Sequence, residues 1–232
     1  MIESIQEIGF MKIVSFTPIK LNNQRLPGKN TMKLGNPGKP LCQYLFSTLQ
    51  KIDLIDEKYV YCSSDEICKY ILDGLTYLKR DKRLDGPEVR GLQIIESFVN
   101  AVDADIYVLC HVTAPFIEAH SIENALKKMI EGDYDSAFTA EFAQDYCWYE
   151  GKPVNYDLYN IVQTQYLKPV CIEKGEVFIF RKEVFQKMGR RIGVNPYIQK
   201  ISAFEAVDID TPEDFVFAQA VAAYLEHGEE SK

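Results

Sequence analysis

The chain has 232 residues, of which 47% are hydrophobic and 26% charged, with a formal net charge of −8. That length and composition suit one α/β domain, or one with a modest insertion, built on a real hydrophobic core. An acidic chain is a poor general binder of nucleic-acid backbones, which need a basic surface, and no apolar run approaches the length of a membrane span. The six cysteines (Cys42, Cys62, Cys68, Cys110, Cys147 and Cys171) make no C-x-x-C pair and mostly sit among apolar neighbours, as reduced core thiols do. The leader MIESIQEIGF carries two glutamates and no basic stretch, so residues 1–10 read as a short N-terminal extension rather than a signal peptide. A single cytoplasmic domain is expected over 11–232.

In chain order, Lys12 to Thr17 (KIVSFT) is a short apolar run stopped by Pro18, which predicts a buried strand feeding a loop. That loop, PIKLNNQRLPGKN, is rich in Asn, Pro, Gly and cations. Leu41, Leu45, Phe46 and Leu49 repeat at helical spacing, so a helix is expected over Pro40 to Lys51. Glu57 to Ser63 reads as a second strand, with Ser64-Asp65 capping a helix over Glu66 to Leu72. A short third strand follows at Thr76 to Leu78, then an amphipathic helix over Gly91 to Val102. Ile106 to Cys110 (IYVLC) is the best central strand; it breaks at His111-Val112-Thr113-Ala114-Pro115, and Ser121 caps a helix to about Ile130. Another strand is expected over Asp135 to Ala140. Residues 141–172 lose periodicity and form an aromatic, polar excursion from the core. Glu176 to Phe180 resumes as a strand, followed by a helix or turn over Lys182 to Met188 and an edge strand over Ile198 to Phe204. Val207 to Asp210 leads into Thr211-Pro212-Glu213-Asp214, which opens a last helix with an N-cap, a proline at the first helical position and acids in the first turn. Strands alternating with helices imply a mostly parallel sheet covered on both faces, with ligands at the carboxyl ends of its strands.

Two places in this pattern are chemically equipped. In the loop after strand one, Lys20, Arg25 and Lys29 are interleaved with Asn22, Asn23, Pro27, Gly28 and Asn30. A triphosphate needs several donors and positive charges on a shaped backbone, and Gly and Pro let a loop hold one form. The same composition also fits a solvated loop with ordinary cations, and the segment is neither a Walker A loop nor a G-x-G-x-x-G turn. Far along the chain, Asp208 and Asp210 stand at i and i+2 in an extended segment, so both face one side. Paired hard oxygens at a strand end suit Mg²⁺. Thr211 can take the helix cap, which leaves both carboxylates free.

The order of the residues narrows these alternatives. TPIKLNNQRLPGKN resembles the IPARxxSKRLPxKN signature of the acylneuraminate cytidylyltransferases, which make CMP-activated acidic sugars. Ser63-Ser64-Asp65, Lys79 to Leu84, His111 to Phe116 and Val207 to Asp214 follow in the order of that family's STD, RPxxL, QPTSPL and (I/V)DIDxPED segments. The likeness runs from about Met11 to about Ala222. It implies a Rossmann-like fold of the nucleotide-diphospho-sugar transferase type. The implied reaction moves CMP from CTP to a sialic-acid-like nonulosonate or related acid and releases pyrophosphate, with Mg²⁺ at Asp208 and Asp210.

The same resemblance distributes roles. Lys29 would neutralise the phosphates as pyrophosphate leaves, with Lys20 and Arg25 beside it. Lys20 stands where the family usually has Arg, so a point charge replaces a bidentate fork. Asn30 and Arg80 would contact the cytidine, with backbone from Pro18 and Ile19; Arg80 also reads as one of four cations in a solvated turn. His111, Thr113, Gln163 and Glu176 make up the acceptor side. His111 replaces a Gln and reads either as a core histidine or as a partner and base for the acceptor hydroxyl. Ile117 and Gln163 stand where Arg is common, so Lys168 or Lys174 becomes the candidate partner for an acceptor carboxylate. The excursion needs a surface to cover it, its own domain or a second subunit, and a homodimer is expected. Two further readings use the same residues: a glycosyltransferase with Asp208-Ile209-Asp210 as its metal motif, and a nucleotide-binding module without turnover.

Overall fold

The computed structural model describes residues 11–230; the N-terminal extension expected at 1–10 lies outside the described residues. β1 (Ile13–Ile19) is followed by a small ribbon, β2 (Lys33–Leu34) and β3 (Lys39–Pro40), then α1 (Leu41–Gln50), β4 (Glu57–Cys62) and β5 (Thr76–Lys79). Next come α2 (Gly91–Ala101), β6 (Ile106–Cys110), α3 (Ala119–Glu131), β7 (Ser136–Ala143) and the short hairpin β8 (Trp148–Tyr149) and β9 (Lys152–Pro153). The chain closes with β10 (Val170–Arg181), α4 (Lys182–Met188), β11 (Pro196–Lys200) and α5 (Pro212–Glu230). Seven strands form one sheet in the order β11-β7-β10-β6-β1-β4-β5, parallel throughout except where β10 runs against β6 and β7.

Alternate residues of each strand feed two separate cores, because successive side chains point to opposite faces. On one face Ile13, Ile19, Ile106 and Val108 pack with Leu45 and Phe46 of α1 and Ile122 and Leu126 of α3. On the other, Val14, Phe16, Tyr107 and Leu109 meet Ile95 and Phe98 of α2 and Phe185 of α4. Phe98 stacks on Phe16 at 4.1 Å between centroids and takes ring edges from Tyr59, Tyr61 and Tyr107. A third cluster seats α5, through Ala218, Val221 and Ala222, against Leu34, Leu41, Phe116 and Ile209. The α/β expectation therefore holds.

Several boundaries differ from the sequence expectation, each for a local reason. The segment after Ser64 is a 3-10 helix over Asp65–Lys69 rather than an α-helix; Ser64 still caps it, accepting from the Glu66 amide at 3.4 Å. α3 starts before Ser121, which lies buried inside its first turn, because the Glu118 carbonyl accepts from the Ser121 amide at 3.2 Å. β7 and β10 pair as far out as Ala143 with Val170, so the segment that leaves the sheet is 144–169 and its arms are strands. β11 does lie at the sheet edge but ends at Lys200. Only Cys42, Cys62 and Cys110 are buried core thiols, and burial pushes Cys42 and Cys110 up to about 12, while Cys68 and Cys171 are exposed.

The topology also locates a crevice. β1, β4 and β5 step away in one direction, and β6 then returns to the other side of β1. Such a reversal opens a cleft at the carboxyl ends of the two central strands, where doubly wound sheets bind ligands. Both loops singled out above, 20–28 after β1 and 111–116 after β6, begin there.

Candidate active site

Gly28 is the pivot of the first loop. It sits at φ 70°, in the left-handed region that glycine enters at least cost. The chain then turns into a 3-10 helix over Lys29–Thr31 that carries Lys29 and Asn30 inward, and both are buried. Lys29 Nζ donates to the Ile209 carbonyl at 2.6 Å and to Asp210 Oδ1 at 2.8 Å. Arg25, itself largely exposed, reaches the other carboxylate oxygen, Nη2 to Oδ2, at 2.8 Å. A buried ammonium requires such partners, since an unpaired buried charge costs several kcal/mol.

The DIDTPED segment is held against this loop by its backbone. The Ile209 amide donates to the Thr113 carbonyl at 2.9 Å, which ties 207–210 to the end of β6. Thr211 caps α5 as expected: its hydroxyl accepts from the Asp214 amide at 3.2 Å, and Asp214 Oδ2 accepts from the Thr211 amide at 2.7 Å. Of the two acids, Asp208 is exposed, whereas Asp210 is not free but engaged by Lys29 and Arg25. Protein atoms crowding the Asp208 carboxyl raise its pKa, the Thr113 hydroxyl draws it down, and neighbouring Asp210 and Asp214 push it up. Among the described residues no group of three or more His, Cys, Asp or Glu forms a ready metal cage. Two hard carboxylates beside open solvent fit Mg²⁺, which keeps waters and takes phosphate oxygens, better than Zn²⁺, which takes a closed set of protein ligands.

On the other side of β1, Arg80 is almost wholly buried, which excludes its reading as a solvated cation. Its Nη2 donates to the Ile19 carbonyl at 3.0 Å and to Asp85 Oδ1 at 2.6 Å. Asn30 Nδ2 donates to the Lys20 carbonyl at 2.8 Å. Arg80 Nε and Asn30 Oδ1 are buried without a partner, one donor and one acceptor near the Pro18-Ile19 end of β1. Lys20 turns away from the Asp210 cluster and donates to the Asp85 carbonyl. Asp85 thus organises this side, accepting from Arg80 and Ser63 as well. Sequence reading passed over Asp85 because nothing in its local pattern separates it from the other acids of a charged turn.

The acceptor-side candidates divide. The His111 amide donates to the Glu176 carbonyl at 3.0 Å, so β6 and β10 bring these two residues together. Burial, then the charge of Arg191, lowers the His111 pKa to about 4, with Lys29 adding to this and Asp210 opposing it. The imidazole is therefore neutral at pH 7, and its Nε2 is buried without a partner. Glu176 is buried; Thr139 Oγ1 donates to its Oε2 at 3.0 Å, and Oε1 has no partner. Burial raises the Glu176 pKa to about 7, and Asp208 adds to the rise. Gln163 lies elsewhere, on the excursion, where its side chain accepts from Gln165. Ile117 is part of the core, and Lys174 is paired with Glu141 at 3.1 Å.

This geometry has relatives. The cytidylyltransferase family model matches residues 18–231. No curated protein sequence gives a significant match. Among solved structures, CMP:2-keto-3-deoxy-manno-octonic acid synthetase complexed with CTP is similar with a TM-score of 0.68 and 16% identity, over 94% of this chain and 99% of that one. The 4-diphosphocytidyl-2C-methyl-D-erythritol synthase of Anaerococcus prevotii gives 0.65 and 14%, over 95% and 99%. The bifunctional IspDF of Campylobacter jejuni gives 0.63 and 11%, over 88% of this chain and 53% of that one. At these identities the structural likeness is one of fold. The family match spans nearly the whole chain, and on it the chain belongs to the cytidylyltransferases, enzymes that use CTP to transfer a nucleotidyl group.

Proposed function

We propose that this cytidylyltransferase moves CMP from CTP to an acidic sugar, a sialic-acid-like nonulosonate or a related acid, and releases pyrophosphate. The observation that carries this reading is the convergence of buried Lys29 and exposed Arg25 on Asp210, beside Asp208, at the crevice between β1 and β6. An acceptor oxygen attacks the α-phosphate in line, the bond from that phosphorus to the bridging oxygen breaks, and negative charge gathers on the departing pyrophosphate. Lys29 and Arg25 are placed to stabilise that charge, the kind of preorganised electrostatics that dominates phosphoryl chemistry. The Ile209 carbonyl keeps Lys29 Nζ in position while phosphate oxygens compete for it. Mg²⁺ held by Asp208 and Asp210 would supply further neutralisation of the triphosphate.

The unpartnered Arg80 Nε and Asn30 Oδ1 supply the donor and acceptor that a cytosine edge requires. Glu176, near neutrality, is better matched than His111 to take the acceptor's proton, since a general base works best with a pKa close to the working pH. His111 then serves as a neutral hydrogen-bonding group. The excursion supports a homodimer: Tyr146, Trp148 and Tyr156 cluster among themselves, yet Tyr149, Tyr159, Ile161 and Tyr166 stay exposed.

A pyrophosphate-release screen of CTP with Mg²⁺ against acidic sugars tests the reading. Release with a free acid, and a rise in melting temperature with CTP and Mg²⁺ alone, are expected. Absence of the thermal shift removes the nucleotide site; release with non-acidic acceptors alone removes the acidic sugar.

A further inference from the structure

Of the cations named so far, Lys174 is tied to Glu141, Lys29 and Arg25 are tied to Asp210, and Lys168 is exposed on the excursion. Beside the site, however, lies a cavity of about 490 Å³ between the start of α2 and the loop joining α4 to β11. It is lined by Arg90, Leu92, Glu173, Arg190, Arg191 and Ile192. Three arginines and one glutamate stand among these, a local excess of positive charge on a protein of net charge −8.

Arg191 connects this cavity to the reaction centre. Its Cζ lies 3.4 Å from the centroid of the Phe178 ring. The His111 ring meets the same Phe178 ring edge-on, with centroids 6.4 Å apart. Phe178 itself is fully buried and stands two residues from Glu176 on β10, so one ring lies between Arg191 and the acceptor-side pair. Stacking on an aromatic face leaves a guanidinium's N–H fork free in its own plane. The ion pair that Arg191 makes, Nη2 to Glu173 Oε1, is long at 3.5 Å and Glu173 is half-exposed, so a better-placed acid can displace it.

The loop under Arg191 is rigid. Asp135 Oδ2 accepts from the Val194 amide at 2.6 Å and the Asn195 amide at 3.0 Å, and the Gly193 amide donates to Ser136 Oγ at 2.8 Å. A Cβ at position 193 would meet the Asp135 carboxylate at 2.2 Å, so this close approach requires glycine. An arginine on such a loop loses little freedom when it binds.

We propose that this cavity takes the anionic group of the acceptor, with Arg191 as the specificity-determining residue and Arg90 and Arg190 at its rim. The proposal rests on the reading of an acidic acceptor, and the ligand class it names is a sugar bearing a carboxylate held bidentately in place of Glu173.

The test is pyrophosphate release with CTP and Mg²⁺ from wild type, Arg191→Gln and Arg191→Lys. The acceptors are N-acetylneuraminate, 3-deoxy-manno-octulosonate, their methyl esters and 2C-methylerythritol 4-phosphate. Arg191→Gln is expected to raise KM for the free acid about tenfold to a hundredfold, the loss of a charge-assisted bidentate contact, while KM for CTP and the CTP-induced thermal shift stay put. The methyl esters should not distinguish wild type from the variant. Arg191→Lys should recover only part of the affinity, and it keeps the question answerable if Arg191→Gln does not fold. An unchanged KM for a free acid that is turned over refutes the cavity assignment and leaves the acidic-sugar reading intact. Turnover of the phosphorylated acceptor alone, with a KM that depends on Arg191, refutes the acidic sugar and keeps the cavity. No release with any acceptor, or release of the phosphorylated one without Arg191 dependence, overturns both.

Discussion

The half of this molecule proposed to hold the nucleotide and the half proposed to hold the acceptor are built by different rules. Around β1, charged and polar side chains are buried and fixed by named partners: Lys29 on Ile209 and Asp210, Arg80 on Ile19 and Asp85, Asn30 on Lys20. On the excursion between β7 and β10 the pattern inverts, with aromatic side chains facing outward and Tyr159 99% exposed. Buried charges need partners supplied from far along the chain, so they survive only on a rigid frame. The acceptor half is assembled from a hairpin excursion and a loop after a short helix, elements that can change without disturbing the sheet.

The sharpest way to break that contrast is at Lys29. Lys29→Met removes the buried ammonium but leaves Arg25 on Asp210, and kcat for pyrophosphate release is expected to fall about 100- to 1000-fold, the usual size of one preorganised charge-stabilising donor. KM for the acceptor should stay near its wild-type value, the opposite of what Arg191→Gln does. A loss in kcat below about tenfold would move the phosphate charge onto Arg25 and dissolve the distinction between a buried and an exposed cation.

These two halves were also unequally legible in the sequence. RLPGKN and DIDTPED are local patterns that stand out in the chain, and in the fold they meet through the ion pair of Lys29 with Asp210. The alternation of strands with helices likewise predicted the layered sheet, because period-two and period-3.6 patterns are local. What the sequence did not show was partner choice. Asp210 read as a free carboxylate, yet two cations hold it; Lys20 read as a phosphate ligand, yet it turns to the Asp85 carbonyl. Arg191 carried no reading in the sequence, and its stacking on Phe178 depends on a loop pinned by Asp135, 56 residues earlier in the chain. Such contacts leave no periodic trace.

His111 and Glu176 allow a smaller test, by opposing effects of pH on stability. Glu176, at about 7, holds its proton more firmly in the folded chain than in the unfolded one. The stability this contributes is complete below the unfolded carboxylate value and disappears as pH rises through 7. His111, at about 4, runs the other way: its contribution is complete above the ordinary imidazole value and disappears as pH falls through 4. Each is worth about 3 kcal/mol, and between about pH 4.5 and 6.5 the two slopes oppose each other. Relative to wild type, Glu176→Gln should therefore lose stability as pH is lowered across that window, and His111→Asn should gain it. Thermal unfolding at half-unit pH steps reads both. Parallel curves for all three proteins would show that neither group is desolvated, and the proton acceptor proposed for the acceptor hydroxyl would have to be sought elsewhere.

The gentlest perturbation falls on the excursion, where the contrast predicts almost no effect on the single chain. Tyr149 and Tyr159 are both highly exposed, and neither belongs to the Tyr146, Trp148 and Tyr156 cluster that holds the excursion together. Replacing both with Ser removes apolar area that already faces water, so monomer stability should change by less than about 0.5 kcal/mol. A second subunit would feel the loss, since aromatic side chains at the centre of an interface carry much of its energy. Sedimentation should show the wild type as a dimer and the double variant shifted toward monomer, with the CTP-induced thermal shift preserved because the residues proposed for the triphosphate lie on the other half. If the variant keeps the wild-type mass, these tyrosines do not seat the partner; if the CTP shift is lost with them, the two halves are less separate than their construction implies.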